Sequence, residues 1–439
     1  MSEYTRSVSA SDHELEPETI WQLQLPDIYF GRGVKDRLGE ILEGLGAQAG
    51  SCGLVIADST LKELGQLSAV GNVLTDAGLE IDCYTAVERE PAVASVTDCV
   101  EFARDTQPEG YDFFIGLGGG SPMDTAKAVR MTLANGGKPT DYIPAPFGDD
   151  AQITNRGAPL VLVPTTAGTG SEVSQVTILS DNTEPVKNGI TSPKIQADAA
   201  LLDPVLTMSL PPDLTAATGM DALGSALEGL TTHRYDQLLR ANTQSSRPTH
   251  AGRTPITEIF SETAIKLLVG NIRQAVNNGE DLEARTAMLR GSLFGSIGGL
   301  TAGATLCHAM SYPVSTAYNT YHGETVAVLT PASTLGFNAA SDPQKFERIA
   351  KLLGVNTTGR SPREAADTVQ DSFVSLQQDL NVVPSGLAEL ADITESELDD
   401  LAARTIDTQS RLLRANPRPV TKDDVRDVYR NALYNWHPD

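Results

Sequence analysis

Three side chains that could bind a metal stand out in this 439-residue chain. His308 and His322 are two of only six histidines, and both lie within residues 301–323. In one straight helix the rise would place the two rings roughly 20 Å apart, and Pro313 would interrupt that helix. We therefore expect a helix that carries His308, a break at residues 312–313 and a loop that ends at His322. Such a fold-back can bring both imidazoles to one point.

A third ligand has to come from elsewhere in the chain. Two neutral imidazoles need an anionic partner to form a site for a divalent metal, and Asp221, within residues 218–228, is the best candidate. One carboxylate and two imidazoles suit Zn²⁺ and Fe²⁺ alike. The alternative is two unrelated histidines, each in a core or at the surface. Cys307 adjoins His308 but would point about 100° away in a helix, so we expect it to serve packing.

A glycine-rich turn at residues 118–122 could bind a phosphate. It follows an apolar strand predicted for residues 112–117 and opens a helix, with Ser121 predicted as N-cap and Pro122 as the first helical residue. Three glycines allow the backbone to approach a ligand closely, and the free N–H groups of a helix start attract a pyrophosphate. The alternative is a tight turn that needs glycine for its own geometry.

Two further positions could contact a dinucleotide. Asp58 follows the apolar run 52–57, where a carboxylate can accept hydrogen bonds from both ribose hydroxyls and would repel a 2′-phosphate, which favours NAD over NADP. The alternative is a plain N-cap of the next helix. Thr165 and Thr166 open a second glycine-bearing turn, whose hydroxyls could bind the nicotinamide half of the cofactor; the alternative is an ordinary hydroxyl-rich loop.

The elements that must position these side chains change character along the chain. Strand and helix patterns alternate from a strand at 21–25 to one at 175–179, which predicts a Rossmann-like, doubly wound parallel sheet. From residue 211 onwards helical spacing dominates, including one long helix at 282–309, with a polar loop within 234–253. We predict a flexible acidic tail at 1–20, an α/β dinucleotide-binding domain at 21–207 and an all-α metal-binding and substrate domain at 208–439, with the active site between the last two.

Composition narrows the possible partners and the compartment. The chain has 57 acidic and 33 basic residues, a net charge of −24, which argues against nucleic acid or anionic membranes as partners. Only ten of the basic residues are lysines. Strong acidity with arginine favoured over lysine is typical of halophilic proteins in a high-salt cytoplasm; an acidic mesophilic protein is the alternative. Four scattered cysteines and the lack of a long apolar run favour a cytoplasmic protein with reduced thiols.

Four blocks together resemble the iron-containing (group III) alcohol dehydrogenase family: residues 118–127, 164–173, 219–223 and 306–323, which occur in the family's order. The resemblance implies cofactor contacts and metal ligands. The implied cofactor-binding residues are Asp58, Gly118, Gly119, Gly120, Ser121, Asp124, Lys127, Thr165, Thr166 and Lys187, and the implied metal ligands are Asp221, His308 and His322.

The chain departs from the family pattern at two positions. A family histidine four residues after the aspartate is Ser225 here, and a second, linked to proton relay, is Tyr312, which we predict to be catalytic. Asp221, His308 and His322 remain as ligands, and this set of three resembles the metal site of the zinc-using glycerol dehydrogenase branch.

The resemblance implies reversible, metal-dependent hydride transfer between NAD and a small alcohol, polyol or aldehyde, by a homodimer or larger homo-oligomer. The alternatives are a maleylacetate-reductase-like or other metal-independent reductase of the same fold, or a catalytically inactive nucleotide-binding relative.

Overall fold

The computed structural model describes residues 17–181, 186–238 and 252–436. Residues 1–16 of the predicted tail and 239–251 of the predicted polar loop lie outside this part of the chain. Glu18, near the end of the predicted tail, is buried, and its backbone N–H donates to the carbonyl of Leu238. At the base of the loop, the N–H of Arg253 donates to the carbonyl of His233 at 2.8 Å.

The first half of the chain forms a parallel sheet and a separate hairpin. The strands are β1 Asp27–Phe30, β2 Cys52–Ile56, β3 Glu80–Tyr84, β4 Phe113–Gly118, β5 Leu160–Pro164, β6 Val176–Asp181, β7 Val186–Thr191 and β8 Ala199–Leu202. Six of them pair in the order β1-β8-β5-β4-β2-β3, all parallel. β6 and β7 form an antiparallel hairpin outside that sheet.

Helices cover both faces of the sheet. They are α1 Leu38–Gly44, α2 Ser59–Glu63, α3 Gln66–Asp76, α4 Val93–Thr106 and α5 Gly120–Asn135. Leu54 and Ile56 of β2 pack in one apolar cluster with α4 and α5, whereas Val55 packs in another with α1 and α3. Because successive side chains of a strand point to opposite faces, a sheet covered on both sides needs continuous apolar strands. The prediction of a doubly wound α/β unit is confirmed.

The second half is helical, as predicted. Its α-helices are α6 Pro212–Thr231, α7 Pro255–Asn277, α8 Leu282–Ala302, α9 Leu306–Tyr318, α10 His322–Thr330, α11 Pro343–Leu352, α12 Pro362–Ala366, α13 Val369–Leu380, α14 Leu387–Ala391, α15 Leu398–Thr408, α16 Ser410–Leu413 and α17 Lys422–Asn431. The helices α6, α7 and α8 share the largest apolar cluster. In the described part of the chain, every helix is too short or too polar to cross a membrane.

Two predicted elements are wrong. No strand occupies residues 21–25; Leu23 and Leu25 pack against the helical cluster, so their alternation reflects contact with helices, and pairing starts only at β1. The single helix expected at 282–309 is two helices, because Gly303 takes a positive φ of 115° between α8 and α9. That break lets α9 start in a new direction towards the site.

Candidate active site

Asp221, His308 and His322 converge, as the sequence predicts. Their ligand atoms all lie within 4.8 Å of one another. The Nε2 atoms of both histidines lie 3.7 Å from Oδ1 of Asp221. Ligands about 2.1 Å from a tetrahedral ion are about 3.4 Å apart, so the observed spacing is close to that of a divalent metal site.

The fold-back that joins the two histidines differs from the prediction. α9 continues through Pro313 to Tyr318, so the break expected at 312–313 is wrong. A proline inside a helix costs about 3 kcal/mol, but Met310 and Val314 on this helix are fully buried and hold it in place. The chain instead reverses at Asn319, whose φ of 52° is left-handed, and α10 begins at His322.

Glu228 holds His308 in position. It lies seven residues after Asp221 on α6, two turns on and on the same face, and it is completely buried. Its Oε2 lies 2.5 Å from Nδ1 of His308, and its Oε1 accepts from the Thr305 hydroxyl and the Cys307 N–H. One carboxylate therefore caps the start of α9 and fixes the ring that presents Nε2 to the site, as in carboxylate–histidine–metal arrangements.

The surroundings shift the pKa values of the two imidazoles in opposite directions. Burial alone would lower the pKa of His308, but the carboxylates of Glu228 and Asp221 raise it to about 10. Burial and the adjacent His308 charge lower the pKa of His322 to about 3, against the pull of Asp221. A neutral imidazole is the form that binds metal, so His322 is ready to bind an ion at neutral pH, whereas His308 would have to lose a proton on binding.

The donor set fits a divalent ion. It offers one carboxylate and two imidazoles, and Nε2 of each imidazole faces Oδ1 of Asp221. Ser225, one turn after Asp221, also lines the cleft, but a hydroxyl is a poor ligand.

A cleft of about 590 Å³ extends from this cluster to the glycine turn after β4. Gly119, Gly120 and Ser121 line it, whereas Gly118 lies at the end of β4 behind them. The predicted N-cap is wrong: α5 begins at Gly120 with Gly119 as N-cap, and the Ser121 hydroxyl donates to the carbonyl of Arg89. A Cβ on Gly120 would lie 2.9 Å from the Thr169 methyl, so glycine is needed where the two turns touch.

Lys127 does not reach the cleft. Its ammonium is fully buried and contacts the Asp124 carboxylate, the hydroxyls of Ser171 and Ser174, and the carbonyl of Val176 at 2.8–3.2 Å. An ammonium has three N–H donors, which these acceptors occupy. The contact with a cofactor implied for Lys127 is therefore not available in this structure; the lysine supports Asp124, which does line the cleft.

The other predicted cofactor contacts lie along the cleft. Asp58 caps α2, accepting from the Leu61 N–H at 3.0 Å, as the alternative in the sequence analysis states, and it also lines the cleft. Thr165 and Thr166 follow β5 and line the cleft beside Gly119. Their contacts with a nucleotide stay predictions.

Lys187 and Tyr312 lie at the metal end. The Lys187 ammonium contacts Glu90 at 2.7 Å and the Ser315 hydroxyl at 3.0 Å, and it lies 5.8 Å from the centre of the Tyr312 ring. The rings of Tyr312 and His322 have centres 5.6 Å apart. Burial raises the pKa of the Tyr312 phenol to about 12, so it keeps its proton at neutral pH.

Two further residues lie at this end. The seven-residue spacing of Glu228 from Asp221 in the sequence favours a buried cap or an ion pair, and the structure has both, because Glu228 caps the start of α9 and contacts His308. The second residue is not predicted by the sequence. Arg411, on the short helix α16, also lines the cleft. It lies 89 residues beyond His322, the last predicted ligand, on a four-residue helix that is too short to show a periodicity in the sequence.

Two family models match most of the chain. Residues 26–204 match the model of the iron-containing alcohol dehydrogenase family, and residues 249–433 match that of the Fe-containing alcohol dehydrogenase family, C-terminal. Among curated proteins, the mitochondrial hydroxyacid-oxoacid transhydrogenase of Xenopus tropicalis is 32% identical, over 95% of this chain and 91% of the relative. The NAD-dependent methanol dehydrogenase of Bacillus methanolicus is 31% identical, over 93% of this chain and 98% of that enzyme.

Solved structures of similar proteins have the same fold as this chain. A 1,3-propanediol oxidoreductase superposes with a TM-score of 0.83 at 29% identity, covering 94% of this chain and 100% of that protein.

Proposed function

This chain belongs to the iron-containing alcohol dehydrogenase family, and from that premise we propose that it transfers a hydride reversibly between NAD and a small alcohol, polyol or aldehyde at a divalent metal site. The observation that carries the proposal is the convergence of Asp221, His308 and His322 within 4.8 Å, in the same cleft as the glycine turn after β4. A three-ligand set leaves room for substrate, which is typical of a catalytic rather than a structural ion.

The cofactor would occupy the other end of the cleft. The backbone N–H groups of Gly120 and Ser121 stand at the start of α5, where an anionic diphosphate is favoured by the helix dipole. Asp58 favours NAD, because its charge would repel the 2′-phosphate of NADP. Thr165 and Thr166 offer hydroxyls to the nicotinamide half.

The metal end would bind and orient the substrate. A bound Fe²⁺ or Zn²⁺ would supply Lewis acidity at the substrate oxygen. Glu228 keeps the His308 ring oriented, and His322 is held neutral by burial. Tyr312 keeps its phenol proton at neutral pH and stands beside the ring of His322, so we assign it a relay role: its oxygen would accept the hydroxyl proton of the substrate while its own proton passes on towards solvent.

A second candidate is a hydroxyacid–oxoacid transhydrogenase. The 32% identity with the Xenopus tropicalis protein over 91% of its length favours it. In that reaction one hydroxy acid loses a hydride to NAD⁺ and a proton to solvent, and a second molecule, an oxo acid, takes both back. Rapid exchange between the two acids with only catalytic amounts of NAD distinguishes it from a dehydrogenase that releases NADH.

Two measurements test the proposal. Metal analysis of the purified protein should find about one ion per chain; a chain that binds NAD without any ion would instead support a metal-independent reductase or an inactive relative. A panel of alcohols, polyols and hydroxy acids, assayed with NAD and NADP at low and high salt, should show NAD-linked turnover. That panel also tests the predicted halophilic character.

Location and assembly stay predictions. The cysteine usage supports a cytoplasmic protein, and size-exclusion chromatography with light scattering should find a homodimer or larger homo-oligomer.

A further inference from the structure

A lysine and a glutamate form an ion pair at the metal end of the cleft. Both carboxylate oxygens of Glu90 lie 2.7 Å from the Lys187 ammonium. The lysine side chain is 5% exposed and the glutamate side chain is 23% exposed, and both residues line the cleft. Salt and water screen such a pair less than a pair at the surface, so its charges act on whatever lies beside them in the cleft.

Three parts of the fold meet at this ion pair. Lys187 lies on β7, and its ammonium also donates to the Ser315 hydroxyl of α9 at 3.0 Å. Glu90 lies between β3 and α4, and the carbonyl of the next residue, Pro91, accepts from the Ser180 N–H of β6 at 2.9 Å. The β6–β7 hairpin therefore contacts the segment that carries the glutamate as well as holding the lysine, which fixes the pair in place.

The ammonium of the pair stands close to the predicted metal ligands. It lies 5.8 Å from the centre of the Tyr312 ring, and the centre of that ring lies 5.6 Å from the centre of the His322 ring. Burial lowers the pKa of Lys187, and the charges of Glu90 and Asp221 act against that shift, so Asp221 is near enough to interact with the ammonium. The ion pair and the ligand cluster thus share one end of the cleft.

Hydride transfer would bring a changing charge to this end. The nicotinamide ring has to lie next to the substrate carbon, whose oxygen would lie at the ligand cluster. That ring carries a positive charge in NAD⁺ and none in NADH. An ammonium repels the oxidised ring and leaves the reduced ring almost unaffected, whereas a carboxylate attracts the oxidised ring. The two members of the pair therefore act in opposite directions on the difference between the two cofactor forms.

We propose that Glu90 sets the relative affinity of the site for NAD⁺ and NADH, because its carboxylate offsets the Lys187 ammonium beside the nicotinamide ring. This inference rests on the proposed hydride transfer. When NADH reduces a carbonyl compound, the ring passes a hydride to the carbonyl carbon, the oxygen gains a proton from solvent, and the ring becomes cationic. Glu90 stabilises that cationic ring through its charge and takes no part in breaking or forming a bond.

The test measures the dissociation constants of NAD⁺ and NADH separately, by calorimetry on the purified protein at pH 6.5. This pH is about four units below the ordinary pKa of lysine, so the ammonium keeps its charge. Glu90→Gln has nearly the same shape as the wild type but lacks the negative charge. We expect it to raise the ratio of the NAD⁺ constant to the NADH constant about tenfold, the scale of one partly screened charge contact.

Lys187→Met should change the same ratio in the opposite direction. Without the ammonium, the Glu90 carboxylate attracts the cationic ring without opposition, so the ratio should fall below that of the wild type, whatever the common loss of affinity for both forms. The double variant, Glu90→Gln with Lys187→Met, has neither charge, and its ratio should lie between those of the single variants. Side chains that only support the local fold would change both constants by the same factor.

Two controls keep the comparison specific. Glu90→Asp keeps the charge and should have a ratio close to that of the wild type. Glu101→Gln removes a charge of the same sign from an exposed position on α4, the helix that follows Glu90, and should leave both constants unchanged.

The outcomes separate this inference from the proposed function. Equal changes in both constants, or shifts of the same sign in Glu90→Gln and Lys187→Met, would overturn the role of Glu90 and leave the proposed hydride transfer intact. A protein that binds neither NAD⁺ nor NADH would overturn both. Opposite shifts in the two variants, in a protein that oxidises no alcohol, polyol or hydroxy acid, would support the role of Glu90 in cofactor binding and count against the hydride transfer alone.

Discussion

Replacing Glu228 with glutamine should weaken metal binding although Glu228 touches no metal. The carboxylate is completely buried; Oε2 contacts His308 Nδ1 at 2.5 Å, and Oε1 accepts from Thr305 Oγ1 at 2.7 Å and the Cys307 N–H at 2.9 Å. Glutamine has the same shape but only one acceptor oxygen. If that oxygen faces His308, the amide NH₂ group faces donors at the start of α9; if it is turned round, the NH₂ group faces His308.

The magnitude follows from these contacts. A hydrogen bond to a charged group contributes about 1.5–3 kcal/mol, and one buried N–H left without an acceptor costs about 1–3 kcal/mol. Part of that loss lowers the free energy of unfolding, and we expect a decrease of about 2 kcal/mol. The remainder appears in metal affinity, because the His308 ring loses its orientation; removing such a partner typically raises the dissociation constant of the metal about 10- to 100-fold.

Competition with a chelator of known affinity measures the dissociation constant for Zn²⁺ directly, and urea unfolding of the metal-free proteins measures stability separately. Glu283→Gln, at an exposed position on α8, is the matched control and should behave as wild type. The reasoning is refuted if Glu228→Gln binds the ion within about twofold of wild type, a change far below that expected of a lost orienting partner.

Three further predictions concern other parts of the chain. Tyr312→Phe should lower kcat by about 10²-fold or more and alter its dependence on pH, as loss of a proton-transfer group would; an unchanged pH–rate profile would remove the role of Tyr312. Burial raises the pKa of Glu172 from 4.5 to about 7, against the pull of Lys127. The folded protein then binds more protons than the unfolded chain between those values, so the free energy of unfolding should fall as pH rises, by up to about 3 kcal/mol. Urea unfolding of Glu172→Gln at pH 5 and pH 8 should lack that fall, and an identical pH dependence in both proteins would contradict it. Asp58→Asn keeps the cap on α2, because asparagine caps as well as aspartate, but removes the charge; the ratio of kcat/KM for NAD to that for NADP should drop by about tenfold, roughly the effect of one partly screened charge contact, and an unchanged ratio would show that selection lies elsewhere.

The sheet was predictable because its strands are buried on both faces. Where helices alternate with them along the chain, continuous apolar runs such as 52–57 are typical of strands in a parallel sheet that is covered on both faces. The segment 21–25 shows the limit of that signal, since alternating leucines pack equally well against helices when no strand is available to pair with.

The predicted metal ligands lie together as expected, but the geometry that joins them was not predictable. The two histidines stand out because the chain has only six and imidazole binds divalent ions, whereas Asp221 is one of 57 acidic residues and is singled out by the block at 219–223 that resembles the family. The position of the fold-back was predicted from Pro313, a local rule that tertiary packing overrides here. Asn319 carries the reversal instead, and asparagine tolerates a left-handed backbone better than most residues.

Helix boundaries and side-chain direction were the least predictable. Ser121 has the right chemistry for a cap, but the helix starts at Gly120, where two glycine turns touch. Lys127 lies one turn beyond Asp124, and only the packing of residues 171–176 shows that its ammonium points into the protein. Arg411 depends on contacts between α16 and the β6–β7 hairpin, which are distant in the chain and leave no pattern in the sequence.

The most direct test of the central claim titrates the metal-free protein with Zn²⁺ or Fe²⁺ while NADH formation from the preferred substrate is followed by absorbance. We predict a rate that rises in proportion to added ion and levels off at about one ion per chain, with neither the rise nor the tight binding in Asp221→Asn. A metal-free protein that already works at the full rate, or an Asp221→Asn variant that binds and responds to the ion as wild type does, would contradict it.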